Sequence, residues 1–360
     1  MTDSQKVVYY NAIGRNDQLV SVPIEYSAQL QSPIVEKGSD YQCSCIKFSI
    51  PGSLIPIFVF QPGNYKVAMT FGSSSVVEDV VYVPNRDLYN LQPSDPQYYY
   101  MYDYQPMINM INTALATAYT ALLVLEPTFG ASVAPWIVYD EPTMTFAIYG
   151  EETFWSDDPI DVLTSGKLWF NSQLWGLFKN FQFQFYWTLG NPITPSSTQN
   201  WVTLPLIGCT NNYITNAIPP YFLYGPTPTA VNVVVNRQTY QNLVAWVDIR
   251  SVVITSGTLN NRSEFYQPSG TFASIPIVAE FTVSSVNGFD YRSGIVYQPT
   301  AEFRYFNLMS DGPLTLVNLN VYWITRTGAQ LPVYLEYQAD YTIKLMFVKK
   351  SKEEIANGKK

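Results

Sequence analysis

Along much of this chain apolar and polar residues alternate with a period of two. Phe181, Phe183 and Phe185 are separated by Gln182 and Gln184; Val317, Leu319, Val321 and Trp323 by Asn318, Asn320 and Tyr322; Ile343, Leu345 and Phe347 by Lys344 and Met346. A strand turns successive side chains to opposite faces, so each run predicts a strand with one buried side. Weaker versions of the pattern predict strands at residues 41–48, 56–60, 65–71, 76–83, 143–149, 201–206, 230–235, 243–249, 277–283, 302–308 and 331–335. Turn residues such as Pro62-Gly63, Asn287-Gly288 and Ser310-Asp311-Gly312 separate them, drawn from 25 Pro and 19 Gly. This spacing is that of an all-β jelly-roll β-sandwich, either one elaborated sandwich or two in tandem, and not of βαβ units.

Two segments follow a helical period instead. Over 107–123 the apolar residues Met107, Ile108, Ile111, Leu115, Ala118, Tyr119 and Leu122 recur at spacings of three and four, with Pro106 placed to start the helix. A short helix is expected over 172–179, capped by Asn171 or Ser172 and presenting Leu174, Trp175, Leu177 and Phe178. The Pro- and Gly-rich stretch from Gly190 to Ser197 is the best candidate boundary. It predicts an N-terminal sandwich with a helical insertion over 1–190, a C-terminal sandwich over 191–348, and a basic tail over 349–360.

Composition changes what such a fold is for. Charged residues are 13% of the chain, about half the ~25% usual for soluble domains, and there are 28 Tyr, 20 Phe and 8 Trp. Surfaces destined for burial against a partner lose charge and gain aromatics, although sheet faces also favour aromatics. The net charge is −8, divided as +3 in residues 349–360 and −11 elsewhere. An acidic body repels phosphates, so sequence-specific nucleic-acid binding is not expected of it. The tail lysines Lys349, Lys350, Lys352, Lys359 and Lys360 could touch nucleic acid or an acidic partner, or form a simple solvated terminus.

Three cysteines provide no disulfide framework, and Cys43 and Cys45, two apart in a strand, are badly placed to bridge each other. The start MTDSQKVVYY has no signal-like apolar region, and no apolar run reaches the roughly 20 residues of a membrane span. Synthesis in the cytosol or nucleus, without secretion or membrane span, is expected. The sequon at Asn261-Arg262-Ser263 then reads as chance.

The chain contains no histidine, which removes triad and thiol–imidazole chemistry and imidazole metal ligands. Phosphate-cradling glycine motifs are absent, and three cysteines do not make a structural zinc site. Neither cofactor nor metal nor enzymatic activity is expected. Carboxylates remain: Glu151, Glu152, Asp157, Asp158 and Asp161 cluster around Phe154 and Trp155, just beyond Asp140-Glu141. Paired acids beside aromatics would suit a glycosidase or a cation, but the spacing fits no calcium loop. The run Tyr98, Tyr99, Tyr100, Met101, Tyr102, Asp103, Tyr104 could stack sugars or pack at a subunit contact; bases would want interleaved Arg or Lys.

Several segments carry a family resemblance: IPGSLIPIFVF from Ile50, KLWFNSQLWGLFKNF from Lys167, VDIRSVVITSGTL from Val247, EFRYFNLMSDGPLTLVNLNVYW from Glu302 and YTIKLMFVKK from Tyr341. Together they resemble jelly-roll virion structural proteins, first the minor or penton-type capsid protein of virophage-like or Polinton-like DNA viruses, and second their major capsid proteins. The resemblance implies a capsid protein of a non-enveloped icosahedral virus. It would be located in the virion and partnered by copies of itself, as pentamer or trimer, and by other capsid proteins. It carries over no catalytic residue. Two competing functions remain open: a lectin-like attachment module using Tyr98, Tyr99, Tyr100, Tyr102, Tyr104 or Trp155, and a carboxylate-dependent glycosidase using Asp157 and Asp158.

Overall fold

The computed structural model describes residues 6–52, 56–83, 99–151, 166–181, 201–204, 213–217, 231–242, 246, 249–259, 264–266, 273–282, 294–299, 302–308, 310–326 and 328–351. The chain folds as two compact units. Met1–Pro56 and Asp248–Lys360 form the first, while Ile57–Arg86 and Gln92–Val247 form the second. The partition therefore lies near residues 56 and 248, whereas the boundary expected at 190–197 falls outside the described residues. The physical reason is long-range strand pairing: the first strand of the chain pairs with the last, so both termini belong to one sandwich.

Among the described residues, eight principal strands frame the first unit, beside several of two or three residues: β1 (Val7–Arg15), β2 (Glu25–Gln29), β3 (Tyr41–Ile50), β4 (Ile249–Thr255), β5 (Ile277–Thr282), β6 (Ile295–Tyr297), β7 (Leu316–Thr325) and β8 (Asp340–Lys349). One antiparallel sheet runs β1-β8-β3-β6 and the other β2-β7-β4-β5. That pair of orders is the jelly-roll wrapping, in which a long hairpin of strands coils so that neighbours in the sheet are distant in sequence. Val7 opposes Val348 and Arg15 opposes Asp340, while Thr342 to Lys349 oppose Ser49 to Tyr41 across a bulge at Lys344/Leu345. One complete jelly roll is thus assembled from the two ends of the chain. The second unit is inserted between β3 and β4.

The alternation foreseen in the sequence fills this core. Val317, Leu319, Val321 and Trp323 of β7 and Ile343, Leu345 and Phe347 of β8 are all at most 1% exposed. Phe48 of β3 meets Phe281 of β5 with ring centroids 5.2 Å apart. Asn16, just past β1, closes one end of the unit. Its amide donates to the carbonyls of Val20 and Leu335, each at 2.8 Å. At the opposite corner the Asn318 Oδ1 accepts from the Gly257 N–H at 2.9 Å.

The second unit joins two antiparallel four-stranded sheets to two helices. Tyr213–Ala217, Val231–Arg237, Thr145–Glu151 and Trp136–Asp140 make one sheet; Trp201–Thr203, Lys167–Asn171, Lys66–Phe71 and Ser74–Asp79 make the other. Helix α1 (Tyr104–Leu125) is longer at both ends than the 107–123 expected, because Asp103 caps it by accepting from the Gln105 N–H. Pro106 lies inside its first turn, where a missing N–H costs nothing. Helix α2 (Ser172–Leu177) is capped by Asn171, whose Oδ1 accepts from the Leu174 N–H at 3.1 Å. Contrary to the expectation that no segment has the length and apolarity of a membrane span, α1 does, at 22 residues and mean hydropathy 1.5. Its inner side, with Ile108, Ile111, Leu115, Ala118 and Leu122 fully buried, makes it the core helix of this unit.

Three side-chain amides pin these elements together. Asn112, buried on α1, accepts from the Ile137 N–H at 2.7 Å and donates to the Ile137 carbonyl at 2.9 Å, so the helix supplies both halves of a missing ladder rung to the sheet's edge strand. Gln238 accepts from the Phe146 N–H at 3.0 Å and donates to the Lys179 carbonyl at 2.9 Å. Asn171 accepts from the Lys66 N–H and donates to the Asn64 carbonyl while capping α2.

Candidate subunit-contact surfaces

The tyrosine run divides between strand, helix start and core. Tyr99, Tyr100 and Met101 form a short strand paired with Phe58–Phe60. Tyr100 is buried, and Tyr99 stacks on Tyr82 with centroids 4.0 Å apart. Tyr104 begins α1 and packs against Tyr139, Phe146 and Trp246. That places it at the aromatic centre of the unit, where Trp246 also meets Phe58 and Phe178. Tyr102 is half-buried between them. The described part of the run is thus largely consumed in packing; Tyr98 and Trp155 lie outside the described residues.

Of the acidic segment, Glu151 is described and its role is structural. Its carboxylate accepts from the backbone N–H groups of Ser132 and Val133 at 2.5 and 2.9 Å and from the Ser132 hydroxyl, tying the loop after α1 to its strand. Asp140 accepts from the Thr143 hydroxyl in a hairpin turn. Glu152, Asp157, Asp158 and Asp161 lie outside the described residues. Among the described residues no three of Cys, Asp and Glu gather closely enough to hold a metal ion. Cys43 and Cys45 are free and buried. Burial pushes both thiols up, Cys45 to about 12, so neither is a thiolate nucleophile at neutral pH.

The basic end begins as ordered strand. Lys349 is the last residue of β8, its N–H bonded to the Lys6 carbonyl. Lys350 donates from Nζ to the Ser39 carbonyl at 2.7 Å. These two residues, expected in a tail, are therefore corrected to the jelly roll. Lys352, Lys359 and Lys360 lie outside the described residues.

A surface that pattern reading missed is β1. It is the edge strand of its sheet, and its outward residues Val7, Tyr9 and Ile13 are 40%, 56% and 62% exposed. No charged residue lies between Lys6 and Arg15. Natural sheets normally guard such an edge with charge, a bulge or a covering element. Lys344 of β8 sits 5.0 Å over the Tyr9 ring. The available signal was the alternation Val7-Tyr9-Asn11-Ile13, in which the stronger apolar residues face out, the reverse of the rule used to find strands.

A single jelly roll carrying a second unit between two strands, with an aromatic core, sparse charge and an exposed edge strand uncharged between Lys6 and Arg15, is the build of a structural, contact-forming protein. Comparison with known proteins agrees. The model of the Sputnik minor capsid protein V18/19 family matches residues 8–349. The chain is 34% identical over 141 residues to uncharacterized protein V18 of Sputnik virophage, covering 83% of that protein. It is 29% identical over 121 residues to structural protein V19 of the same virophage, spanning 55% of its length. Its fold matches a chain of the Sputnik virophage solved by cryo-EM, with TM-score 0.67, 24% identity and coverage of 96% of this chain and 98% of that one. It also matches the mavirus penton protein, with TM-score 0.61, 16% identity and coverage of 95% and 99%. The chain belongs to the Sputnik minor capsid protein V18/19 family, and it is a structural capsid protein of the virion that assembles with itself and other capsid proteins.

Proposed function

We propose that this protein is the ring-forming vertex subunit of an icosahedral shell, a pentamer rather than the trimer of a major shell protein, with a structural and not a catalytic role. The observation that carries this reading is the single complete jelly roll, in sheet orders β1-β8-β3-β6 and β2-β7-β4-β5. A subunit built around one such sandwich offers five-fold closure through heterologous contacts, and the charge-poor, tyrosine-rich composition suits surfaces that are buried on assembly. The basic residues at the C-terminus, beginning with exposed Lys349, are proposed to face the shell interior. The protein is made without secretion, in the host cytosol or nucleus. The test is the purified protein's stoichiometry by native mass spectrometry, backed by negative-stain images. Pentameric rings are expected; trimers would move the protein to the major shell, and a monomer at every concentration would defeat the assembly reading.

A further inference from the structure

The outward face of α1 is prepared for burial. Gln105, Asn109, Thr113, Thr117, Thr120 and Val124 are exposed, and at 3.6 residues per turn they fall within about a third of the helix circumference. The helix has no charged residue in 22 positions, whereas the solvent side of a core helix ordinarily carries Lys and Glu. The threonine hydroxyls on this face, and one amide proton of Gln105, are satisfied within the helix itself. The Gln105 amide donates to the Asn109 Oδ1 at 2.9 Å. The Thr113, Thr117 and Thr120 hydroxyls donate to the carbonyls four residues earlier at 2.8, 3.0 and 2.9 Å. Each threonine thereby spends its donor on the backbone. The threonine stretch of this face can be dried without stranding its hydroxyl donors, the usual obstacle to burying polar side chains.

We propose that this face of α1 is a contact seat for a second copy of the chain. The proposal rests on the assembly reading and names the surface that reading needs. Each copy carries −8, so copies approach at least cost where neither presents charge. Thr113, Ala116, Thr117 and Thr120 are small, which lets another backbone come near. A lipid surface fits less well, because helices that lie on membranes line their polar side with Lys and Arg and α1 has neither. At 1.5 Å per residue the helix offers a strip about 33 Å long and about 10 Å wide. That falls short of the ~800 Å² per partner of a stable pair, so α1 forms part of a larger contact.

The test places one cation, then two, on this face. With the full chain, the wild type, Thr117→Val, Thr117→Arg, Thr120→Arg and Thr113→Arg/Thr117→Arg are compared by native mass spectrometry across a dilution series, with thermal unfolding as the folding control. The wild type and the isosteric Thr117→Val are expected to assemble alike. Each single arginine should raise the dissociation concentration at least tenfold, and the double variant should be a folded monomer. A wild type that assembles together with arginine variants that assemble equally well overturns this proposal and leaves the assembly reading standing. A monomeric wild type overturns both. Co-sedimentation of the wild type with neutral phosphatidylcholine vesicles, lost in the arginine variants, would assign the face to lipid and overturn the proposal as well.

Discussion

The two units solve the problem of joining distant chain segments differently. In the jelly roll the joints are backbone ladders: residues 7–15 pair with 340–348 and residues 41–49 with 342–349, so its topology depends on main-chain groups that every sequence supplies. In the inserted unit helix α1 cannot join a ladder, and beside its apolar packing the Asn112 amide stands in for one against Ile137, while Gln238 ties the Phe146 strand to the Lys179 carbonyl beyond α2. The jelly roll is therefore expected to fail through loss of core volume, and the inserted unit through loss of single hydrogen-bonding side chains. In the jelly roll a volume change should have the largest effect. Phe347 is fully buried near the C-terminal end of β8, and Phe347→Ala should cost about 4 kcal/mol, read by chemical denaturation. Amide exchange should accelerate in β1 and β3 first, and uniform acceleration across both units would break the distinction.

For the inserted unit the matching experiment leaves volume nearly alone. Asn112→Leu is close to isosteric, yet it strands the buried N–H and carbonyl of Ile137. At about 1–3 kcal/mol for each stranded group, the loss should be about 3 kcal/mol, centred on Trp136–Asp140 in hydrogen exchange. Asn112→Asp keeps the acceptor and should recover part of it. A neutral Asn112→Leu would show that the rung is ornamental and that apolar packing of α1 suffices.

These two residues also show what the sequence could and could not disclose. Phe347 stands in plain alternation, and the strands over 317–323 and 343–347 were legible for the same reason: one face is wet and the other dry. Asn112 interrupts the apolar stripe of α1 and carries no sign of its purpose, because its partner, the main chain of Ile137, has no residue-type signature. Pairing partners were likewise hidden, since nothing in Val7 names Val348. The Pro- and Gly-rich stretch drew the expected boundary to 190, whereas the division into compact units falls near 56 and 248, beside strands that carry no composition signal. Of the candidate site, the tyrosine run was conspicuous but belongs mostly to packing. The exposed faces of β1 and α1 were overlooked, as their neutrality shows only once exposure is known.

A smaller effect tests close packing in the jelly roll against its ladders. A Cβ added at Gly14 of β1 would lie 2.4–2.6 Å from the ring atoms of Tyr341 on β8, so the ring must move out of its buried place. Gly14→Ala should cost about 2 kcal/mol, within the range for overpacked cores. Since the backbone ladder is unaffected, the loss should come from packing alone, and Gly14→Ala/Tyr341→Leu should recover part of it. If the double variant is less stable than the sum of the two single changes, the close approach is not what sets the cost.

The smallest effect at neutral pH concerns the same corner. Burial pushes Tyr341 up to about 12, with the nearby Tyr26 adding to it. Burial also raises Tyr10, helped by its 2.5 Å hydroxyl contact with Tyr26. A phenol whose ionisation is harder in the folded state than its ordinary value of 10 holds the fold together while neutral. That stability is fully present below pH 10 and is lost as pH rises from 10 through about 12. Alkaline titration followed by tyrosinate absorbance should therefore show these phenols ionising together with loss of the jelly roll's near-ultraviolet circular dichroism. Tyr341→Phe removes one such group and should flatten the decline between pH 10 and 12 while leaving the neutral-pH melting temperature nearly unchanged. The inserted unit contains its own raised phenol in Tyr119, pushed to about 12 by burial and Glu151, with its hydroxyl donating to the Ala131 carbonyl at 2.7 Å. It should yield over the same range, but insensitively to Tyr341→Phe. Equal flattening in both units would mean that they unfold as one and would collapse the contrast between ladder and pin.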